Sequence, residues 1–444
     1  PMRFVLPHSP EQRPAWLVRL GLFLYDHLGG RQKLPGCRNI DLRRDPEGRP
    51  IRPEFTRAFE YSDCWVDDAR LVSLNALDAK ERGATVMTRT AATAARRMNG
   101  GWEVAFTAAD GTQSKVQAKA IANAAGPWVE NVINGVAGSN SPRRVRLVKG
   151  SHIIVPKFWE GPQAYLFQND DKRVIFVNPY EGDMALIGTT DIPYEGKPED
   201  VAIDARETDY LLAAINRYLK TPITRDKVIH AFAGVRPLYD DNAENPSAVT
   251  RDYVFDVTGE PPMLSVFGGK ITTFRRLAEH AMEKIEPFFP QMGKPWTHDA
   301  PLPGGNFGYE EVDDRIAALW RKYPFLDEVT VRRLFRAYGT DAEHVLGNAR
   351  TAADLGQSFG PISEREVDWL RDKEWARSAD DVLWRRSKLG LHTTKPQQEA
   401  LRTYMAAANA VQELKRVEVE AMPDMILAID QGTTSSRAIV FDAK

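Results

Sequence analysis

Three basic residues, Arg236, Arg251 and Lys270, lie in segments that are otherwise apolar or turn-forming. A charge in such surroundings is costly unless it meets a counter-ion, so these residues predict a site for an anion such as a phosphate or a carboxylate. A second interpretation stays open, in which each cation pairs with an aspartate of Asp240–Asp241 or with Asp252. The two interpretations differ in whether the cations bind a ligand or only stabilise the fold.

The residues around Lys270 predict a strand, a tight turn and a helix. Leu264–Phe267 is an apolar run long enough for a buried strand, Gly268–Gly269 follows it as a turn, and Thr272 or Thr273 opens a helix. Adjacent glycines let a backbone approach a ligand closely, and the amides of a first helical turn attract electron-rich groups. On its own, the pattern would favour an ordinary strand-to-helix turn.

Several longer motifs, in their order along the chain, resemble the membrane-associated, FAD-dependent glycerol-3-phosphate dehydrogenases of bacteria, the aerobic type that passes electrons to quinone. The resemblance runs from Pro1 to about Tyr404. Besides the segments around the three cations, it rests on Phe59-Glu-Tyr-Ser-Asp-Cys-Trp65-Val-Asp-Asp-Ala-Arg70, Asn123-Ala-Ala-Gly126-Pro127-Trp128, Lys149-Gly150-Ser151-His152, Ile187-Gly188-Thr189-Thr190-Asp191 and Leu302-Pro-Gly-Gly305.

The resemblance implies oxidation of sn-glycerol 3-phosphate at C2 to dihydroxyacetone phosphate, with FAD as hydride acceptor and membrane quinone as final acceptor. It makes Arg236 and His152 the catalytic candidates near the C2 hydroxyl. Because an arginine pKa lies above about 12, Arg236 is better suited to stabilising alkoxide charge and His152 to accepting the proton, although a lone histidine before an apolar strand is usually structural. The implied substrate-binding residues are Arg251 and Lys270, and the implied cofactor-binding residues are Gly126, Gly268, Gly269, Lys270 and Thr272.

Length and composition set bounds on the class of protein. A chain of 444 residues, 43% of them hydrophobic and 27% charged, is long enough for several globular domains. Its formal net charge of -2 gives no general attraction to nucleic acid, which we do not expect as a partner. Cys37 and Cys64 are the only cysteines, which fits a reducing, cytoplasmic compartment. Two cysteines also exclude a structural zinc site, so we expect no metal.

The segment Arg13–Leu28 has a helical pattern that is apolar almost all round. Such a helix is either buried in the dehydrogenase body or lies on a bilayer, and the flanking Arg19, Arg31 and Lys33 would suit a surface of anionic lipid. The pattern favours the buried helix. The second interpretation would place the protein peripherally on the inner face of the bacterial plasma membrane.

The expected fold is mixed α/β (α+β): a partial FAD-binding Rossmann-like domain, an antiparallel-sheet substrate domain and a helical C-terminal domain. No strand in the chain leads into G-x-G-x-x-G, so we expect the N-terminal FAD-binding segment to be missing and this chain to hold FAD poorly and to be inactive. The predicted divisions are 1–140 (remnant of the FAD-binding domain with the apolar helix), 141–260 (substrate domain), 261–300 (return to the FAD-binding domain), 301–405 (helical domain) and 406–444 (a join and a terminal hairpin).

The last residues, Met422–Asp442, resemble the N-terminus of glycerol kinase. Two apolar strands, Ile426–Ile429 and Ala438–Phe441, flank the turn Gly432–Ser436, which in a kinase would hold ATP phosphates. A lone two-stranded hairpin is only marginally stable in water. We therefore expect an inert, poorly docked appendage that arose by joining one gene to the next.

Two other classes of function stay open. One is a related flavin-dependent oxidoreductase that acts on a hydroxy acid or an amine, and the other is a truncated fusion fragment with no enzymatic activity. Assembly as a homodimer is also left open.

Overall fold

The computed structural model describes residues 1–9, 11–27, 34–171, 173–240, 252–413, 425–432 and 435–442. The chain forms two compact units, one from residues 1–66 and 145–250 and the other from 67–144 and 251–444. The strands are β1 (Met2–His8), β2 (Arg38–Asp41), β3 (Arg57–Asp63), β4 (Thr85–Thr88), β5 (Thr90–Met98), β6 (Gly101–Ala108), β7 (Gln113–Ala118), β8 (Ala120–Ala124), β9 (Val145–Pro156), β10 (Ala164–Gln168), β11 (Val174–Tyr180), β12 (Met184–Gly188), β13 (Ile192–Pro193), β14 (His230–Tyr239), β15 (Tyr253–Thr258), β16 (Met263–Gly268), β17 (Met425–Gly432) and β18 (Ser435–Asp442). The helices are α1 (Ala15–His27), α2 (Asp68–Glu81), the single turn α3 (Val129–Asn131), α4 (Ala205–Asn216), α5 (Phe274–Ile285), α6 (Val312–Lys322), α7 (Glu328–Tyr338), α8 (Ala342–Leu346), α9 (Glu364–Glu374) and α10 (Lys395–Glu413).

The first unit is built on a nine-stranded sheet with the strand order β13-β9-β12-β11-β10-β1-β3-β2, and β14 also pairs with β9. Its neighbouring strands are antiparallel except β1 and β10, which confirms the predicted, mostly antiparallel sheet. Residues 1–66, which the sequence grouped with the FAD-binding remnant, belong to this unit because β1 pairs with β10 and β3.

One face of this sheet carries the core of the first unit. Along β11, Ile175 and Val177 are buried, whereas Val174 and Phe176 between them are 37% and 38% exposed, as the two-residue period of a strand requires. Helix α4 packs on the buried face through apolar residues that include Leu211. The opposite face is the one that carries the candidate catalytic residues.

Helix α1 is not a core helix, so the interpretation that the pattern favoured is wrong. None of its 13 residues is buried. Trp16 is 68% exposed and Phe23 is 50% exposed, and three leucines of the same helix are at least 40% exposed. A residue pattern that is apolar all round cannot distinguish a helix covered by protein from a helix that lies on a bilayer.

The second unit contains a six-stranded sheet, a three-stranded sheet and the C-terminal helices. The larger sheet has the order β15-β16-β8-β17-β18-β4, in which β8 runs parallel to β16. Strands β5, β6 and β7 form an antiparallel sheet, in which residues 109–112 join β6 to β7. The predicted helical segments after residue 301 are present, with a buried cluster that includes Val331, Leu370 and Leu401. The mixed α/β fold class is thereby confirmed.

The terminal hairpin is part of this larger sheet rather than a loose appendage. Strands β17 and β18 pair with each other in the predicted way, from Met425 opposite Asp442 to Gly432 opposite Ser435. In addition, β17 pairs in parallel with β8, and β18 pairs with β4. The expectation of poor docking is wrong because both outer edges of the hairpin find a partner strand, which a sequence taken alone cannot show.

Candidate functional site

Arg236 and His152 lie on the same face of the first unit's sheet. Strands β9 and β14 are antiparallel, with Phe232 opposite His152 and Arg236 opposite Val148. Residues two apart on a strand share a face, and so do residues directly opposite each other. The structure therefore brings together the two residues that the sequence proposed for catalysis, on the face away from the α4 core.

The guanidinium of Arg236 is held in one orientation by two neighbours. Its Nη1 donates to Oδ1 of Asp191 at 3.1 Å, and its Nη2 donates to the hydroxyl of Thr189 at 2.9 Å. The sequence named Asp240, Asp241 or Asp252 as the alternative partners. Among the described contacts, Arg236 pairs with Asp191, an aspartate from a different segment, and Asp240 accepts from Arg146 at 3.0 Å.

Two glycines allow the side chains of His152 and Arg236 to lie flat on the sheet. A Cβ at Gly188 would overlap the imidazole of His152, and a Cβ at Gly150 would overlap the guanidinium of Arg236. The other side of the His152 ring stacks on Phe232, with ring centroids 5.2 Å apart and planes 13° apart. The imidazole of His152 and the guanidinium of Arg236 thus each lie against backbone that has no side chain.

Gly234 lies between these two groups on the same face. It is opposite Gly150 in the ladder and stands two residues from both Phe232 and Arg236. A Cβ added at Gly234 would have no described atom within 4 Å. The sheet surface is therefore open between the His152–Phe232 ring pair and the guanidinium of Arg236. We call this open surface over Gly234 the notch.

A buried charge network lies on the opposite face of the same strands. Oε1 of Glu207 accepts from the hydroxyls of Ser151 at 2.7 Å and Thr190 at 2.8 Å, and Oε2 pairs with Nζ of Lys149 at 2.7 Å. Glu207 also closes the capping box of α4 with Asp204. Burial by itself would raise the pKa of Glu207, but the hydrogen bonds from Lys149, Ser151 and Thr190 hold it below its usual value.

The second unit carries the predicted cofactor turns at one edge of its larger sheet. Gly126 follows β8, and Gly268–Gly269 ends β16. Because these strands are parallel, their carboxyl ends meet at the same edge, which is where open α/β sheets bind ligands. Gly268 has φ of 74° and Gly269 has φ of 100°, which explains why glycines occupy this turn.

Lys270 is exposed just after this turn, and Thr272 is exposed in the 3₁₀ segment Ile271–Thr273 that leads into α5. The carbonyl of Lys270 accepts from the backbone N–H and the hydroxyl of Thr273, each at 3.0 Å. Arg251, the second residue predicted to bind substrate, lies outside the described residues, so its role stays a prediction.

Two hydrogen-bonded groups that the sequence did not reveal hold the turns of the second unit. Buried Asn123 donates to the carbonyl of Val129 at 3.0 Å and accepts from the amide of Ala125 at 3.3 Å, which fixes the turn before Gly126. The Tyr253 hydroxyl lies 2.6 Å from Nδ1 of His280 and links β15 to α5, on either side of the glycine turn.

Some of these residues had a signal in the sequence and others had none. Asp204-Ala-Arg-Glu207 has the spacing of a capping box, so Glu207 could have been placed at the start of α4. Its contacts to β9 could not, because they join residues 56 positions apart. Thr189 and Asp191 belong to the motif Ile187–Asp191, which does not by itself indicate a role for either residue.

Together, the antiparallel sheet with the candidate catalytic residues on one face and the parallel strands with glycine turns are typical of a two-part flavoprotein oxidoreductase. Comparison with known proteins bears this out. A family model described as FAD dependent oxidoreductase matches residues 1–275, and one described as the C-terminal domain of alpha-glycerophosphate oxidase matches residues 295–416. This chain belongs to the FAD-dependent oxidoreductase family and is an enzyme of that family.

Similar proteins from bacteria carry more specific names. D-erythritol 1-phosphate dehydrogenase of Brucella abortus is 58% identical over 415 residues, which cover 93% of this chain and 83% of that protein. Glycerol-3-phosphate dehydrogenase of Pseudomonas aeruginosa is 49% identical over 409 residues, covering 91% of this chain and 79% of that protein. The structure of glycerol-3-phosphate dehydrogenase from Bacillus halodurans complexed with FAD has the same fold, with a TM-score of 0.70, 21% identity and coverage of 94% and 83%.

Proposed function

We propose that this protein oxidises a phosphorylated polyol, and that its substrate is sn-glycerol 3-phosphate, which is oxidised at C2 to dihydroxyacetone phosphate. The observation that carries the proposal is the placement of His152 and the aspartate-held Arg236 on one sheet face. Loss of hydride from an alcohol carbon requires a proton acceptor for the hydroxyl and a cation beside the developing alkoxide. These two side chains can meet both requirements.

In this proposal His152 accepts the hydroxyl proton and Arg236 stabilises the charge on oxygen. A guanidinium keeps its proton at any physiological pH, so Arg236 is unsuited to act as the base. Asp191 and Thr189 orient it, which lowers the cost of reorganisation when charge develops. Arg251 and Lys270 are proposed to bind the substrate phosphate, and loss of Arg251 should therefore raise KM more than it lowers kcat.

FAD, when bound, supplies the acceptor for the hydride. The residues proposed to contact it are Gly126, Gly268, Gly269, Lys270 and Thr272. They fit such a ligand because the glycine turn is exposed at the carboxyl edge of parallel strands, and the first-turn amides that follow suit electron-rich groups. A fluorescence titration of FAD with a Gly268→Val variant tests these contacts without any turnover, and weaker binding is expected.

A second candidate substrate is D-erythritol 1-phosphate. The observation that favours it is the difference in identity, 58% to the Brucella abortus enzyme against 49% to the Pseudomonas aeruginosa enzyme. The open notch over Gly234 also leaves room for a polyol that is one carbon longer. The two substrates share a phosphate and secondary hydroxyls, so the same catalytic residues would serve both.

The decisive experiment measures kcat/KM of the full-length, FAD-loaded enzyme for both polyol phosphates, for unphosphorylated glycerol, and for a panel of hydroxy acids and amines. We expect bleaching of the flavin absorbance by at least one polyol phosphate and none by glycerol. Turnover confined to a hydroxy acid or an amine would instead support the related oxidoreductase class. No flavin reduction by any of these compounds would refute the proposal that the substrate is a polyol phosphate.

Variants of His152 test its proposed role as base. His152→Gln should lower kcat by about 10²-fold or more, because general base catalysis contributes on that order. Phe232→Leu is the matched control, since it removes the stacking partner but keeps the imidazole. A His152→Gln enzyme with nearly unchanged kcat would reassign the proton transfer to another group.

Membrane quinone is the proposed final acceptor, and helix α1 is the proposed contact with an anionic membrane surface on the cytoplasmic side. Its exposed Trp16, Leu20 and Phe23 support this contact. Among the described helices, none is both long and apolar enough to cross a bilayer. Leu20→Ser/Phe23→Ser should reduce co-sedimentation with anionic vesicles and electron transfer to a quinone analogue. Val329→Ser, at a site that is 78% exposed on α7, should change neither.

A further inference from the structure

We infer that Glu207 is a positioning residue that fixes Arg236 from the other side of the sheet. This inference rests on the proposed catalytic role of Arg236. Glu207 itself is on α4, is only 3% exposed and lies on the core face of the sheet. Its influence passes through residues 189–191, because Thr190 contacts Glu207 while Thr189 and Asp191 contact Arg236.

The first link joins Glu207 to Thr190. Thr190 donates its hydroxyl hydrogen to Oε1 of Glu207 at 2.8 Å, and its Oγ1 accepts from the backbone amide of Ser151 at 2.9 Å. The hydroxyl of Ser151 donates to the same carboxylate oxygen at 2.7 Å. Thr190 is thereby fixed against β9 at the residue just before His152.

The second link joins the neighbours of Thr190 to Arg236. The hydroxyl of Thr189 donates to the carbonyl of Thr190 at 3.0 Å, so its oxygen is directed to accept from Nη2 of Arg236 at 2.9 Å. Asp191 accepts from Nη1. Because Thr189 and Asp191 flank Thr190 in the chain, a shift of Thr190 would move both acceptors of the guanidinium.

Helix capping does not explain this arrangement. A capping box needs one oxygen of the residue three positions into the helix, and in α4 that is Oε2 of Glu207, which accepts from the amide of Asp204 at 3.1 Å. The other oxygen, Oε1, is used by Ser151 and Thr190. Stability alone is also a weak explanation, since a buried ion pair such as Glu207 with Lys149 is often no more stable than packed apolar residues.

The charge of Glu207 is needed for the network to hold. An amide in its place could accept at Oε1 but would present an N–H group to the ammonium of Lys149, which is only 12% exposed. The lowered pKa of Glu207, caused by the hydrogen bonds that outweigh its burial, is in keeping with a carboxylate that stays ionised. Glu207→Gln therefore changes the charge while it keeps the size of the side chain.

The test compares Glu207→Gln with Asp204→Ala in the full-length, FAD-loaded enzyme. Asp204→Ala removes the side-chain cap that accepts from the amide of Glu207 at 2.9 Å but keeps the contacts to Ser151, Thr190 and Lys149. We expect Glu207→Gln to lower kcat by about tenfold or more and to change KM by about twofold at most. Asp204→Ala should leave kcat unchanged, even if both substitutions lower Tm. Equal kcat in the two variants, or a change confined to KM, would overturn the inference.

Two further variants keep the test independent of folding. Thr190→Val removes the hydroxyl that links Glu207 to residues 189–191, and it should lower kcat in the same way as Glu207→Gln. In an Arg236→Lys background, Glu207→Gln should have little further effect, because the residue it positions has already changed. Additive losses in the double variant would overturn the inference.

A crystal structure of the Glu207→Gln protein tests the positioning step with no substrate at all. We expect at least one of the two Arg236 contacts, to Asp191 or to Thr189, to be lost. Retention of both contacts would overturn the inference even if turnover fell. If none of the polyol phosphates reduces the FAD of the unsubstituted enzyme, the proposed function fails. The crystal structure of the Glu207→Gln protein still decides the role of Glu207 in that case.

Discussion

The guanidinium of Arg236 and the carboxylate of Asp191 are paired at 3.1 Å, with the aspartate 15% exposed and the arginine 36% exposed. The pair is half-buried, so its charges are screened less than those of a surface pair. A carboxylate behind a guanidinium fixes the direction of its N–H groups without removing its charge. The geometry therefore suits Arg236 to stabilise a negative charge in one place.

Replacing Arg236 by lysine should lower kcat of the FAD-loaded enzyme by about 10²-fold with little change in KM. Lysine keeps the charge but cannot donate to Asp191 and Thr189 at the same time from a planar group. A contact that strengthens mainly in the transition state affects kcat, and loss of one such donor costs about 10² to 10³ in rate. Steady-state kinetics with the better polyol phosphate measure both constants.

Arg217→Lys is the matched control for Arg236→Lys. Arg217 also pairs with an aspartate, Asp170, but that aspartate is 78% exposed, against 15% for Asp191, and Arg217 lies at the end of α4. Its replacement should leave both kinetic constants unchanged. A large rise in KM for Arg236→Lys, with kcat retained, would make Arg236 a phosphate ligand instead.

Local patterns predicted the parts of the site that depend on neighbouring residues. The glycine turn at 268–269 and the strand before it follow from an apolar run and two glycines, and the structure has both. The pairing of Arg236 with Asp191 joins residues 45 positions apart, and no pattern in either segment encodes it. The sequence could identify the charged residue but not its partner.

Charged residues of the longest quoted motif turned out to stabilise the fold. Glu60 is 4% exposed and accepts from Arg38 at 2.7 Å, within the first unit. Arg70 is 5% exposed and pairs with Glu374, 304 positions away in the second unit. A single sequence cannot separate such buried pairs from site residues, because both place charges among apolar neighbours.

The notch over Gly234 predicts a change of substrate preference on adding one methyl group. Gly234→Ala should lower kcat/KM for D-erythritol 1-phosphate about tenfold more than for sn-glycerol 3-phosphate, because the methyl group takes space that only the longer polyol needs. The measurement is the ratio of the two kcat/KM values in competition.

Gly135→Ala provides the control for this prediction. Gly135 is in the second unit and likewise has no described atom within 4 Å of an added Cβ. The same substitution there should leave the ratio unchanged. If Gly234→Ala lowers both kcat/KM values equally, the notch does not distinguish the two polyols.

Asp381 predicts a defined dependence of stability on pH. Burial would raise its pKa, but backbone hydrogen bonds from Arg377 and Ser378 and the guanidinium groups of Arg89 and Arg385 lower it from 3.8 to about 2. A lowered carboxylate pKa stabilises the fold above its unfolded value, and this stability is lost as pH falls towards the folded value. The contribution is on the order of 2 kcal/mol at pH 7 and about half of that at pH 3.

Urea unfolding of Asp381→Asn against the unsubstituted protein should therefore show a difference that is constant above about pH 5 and shrinks towards pH 2. Asp313→Asn is the control, because the 87% exposed carboxylate of Asp313 pairs with Arg332 at the surface and should contribute under about 1 kcal/mol. A difference for Asp381→Asn that does not change with pH would mean that the loss comes from packing and not from ionisation.

The terminal hairpin is predicted to support the sheet that carries the cofactor turns. Strands β17 and β18 lie between β8 and β4, so deletion of residues 414–444 would leave two strand edges unpaired, one of them on β8, which leads to Gly126. We expect this deletion to lower Tm by about 5 °C or more and to weaken FAD retention. Ala428→Pro, at a position paired with both Ala122 and Ile439, should have the same direction of effect because proline removes a ladder N–H, and Ala428→Ser, which keeps that N–H, is its control. Differential scanning calorimetry and the ratio of flavin to protein absorbance measure the two outcomes. Unchanged Tm and flavin content after the deletion would restore the original expectation that the hairpin is a dispensable appendage.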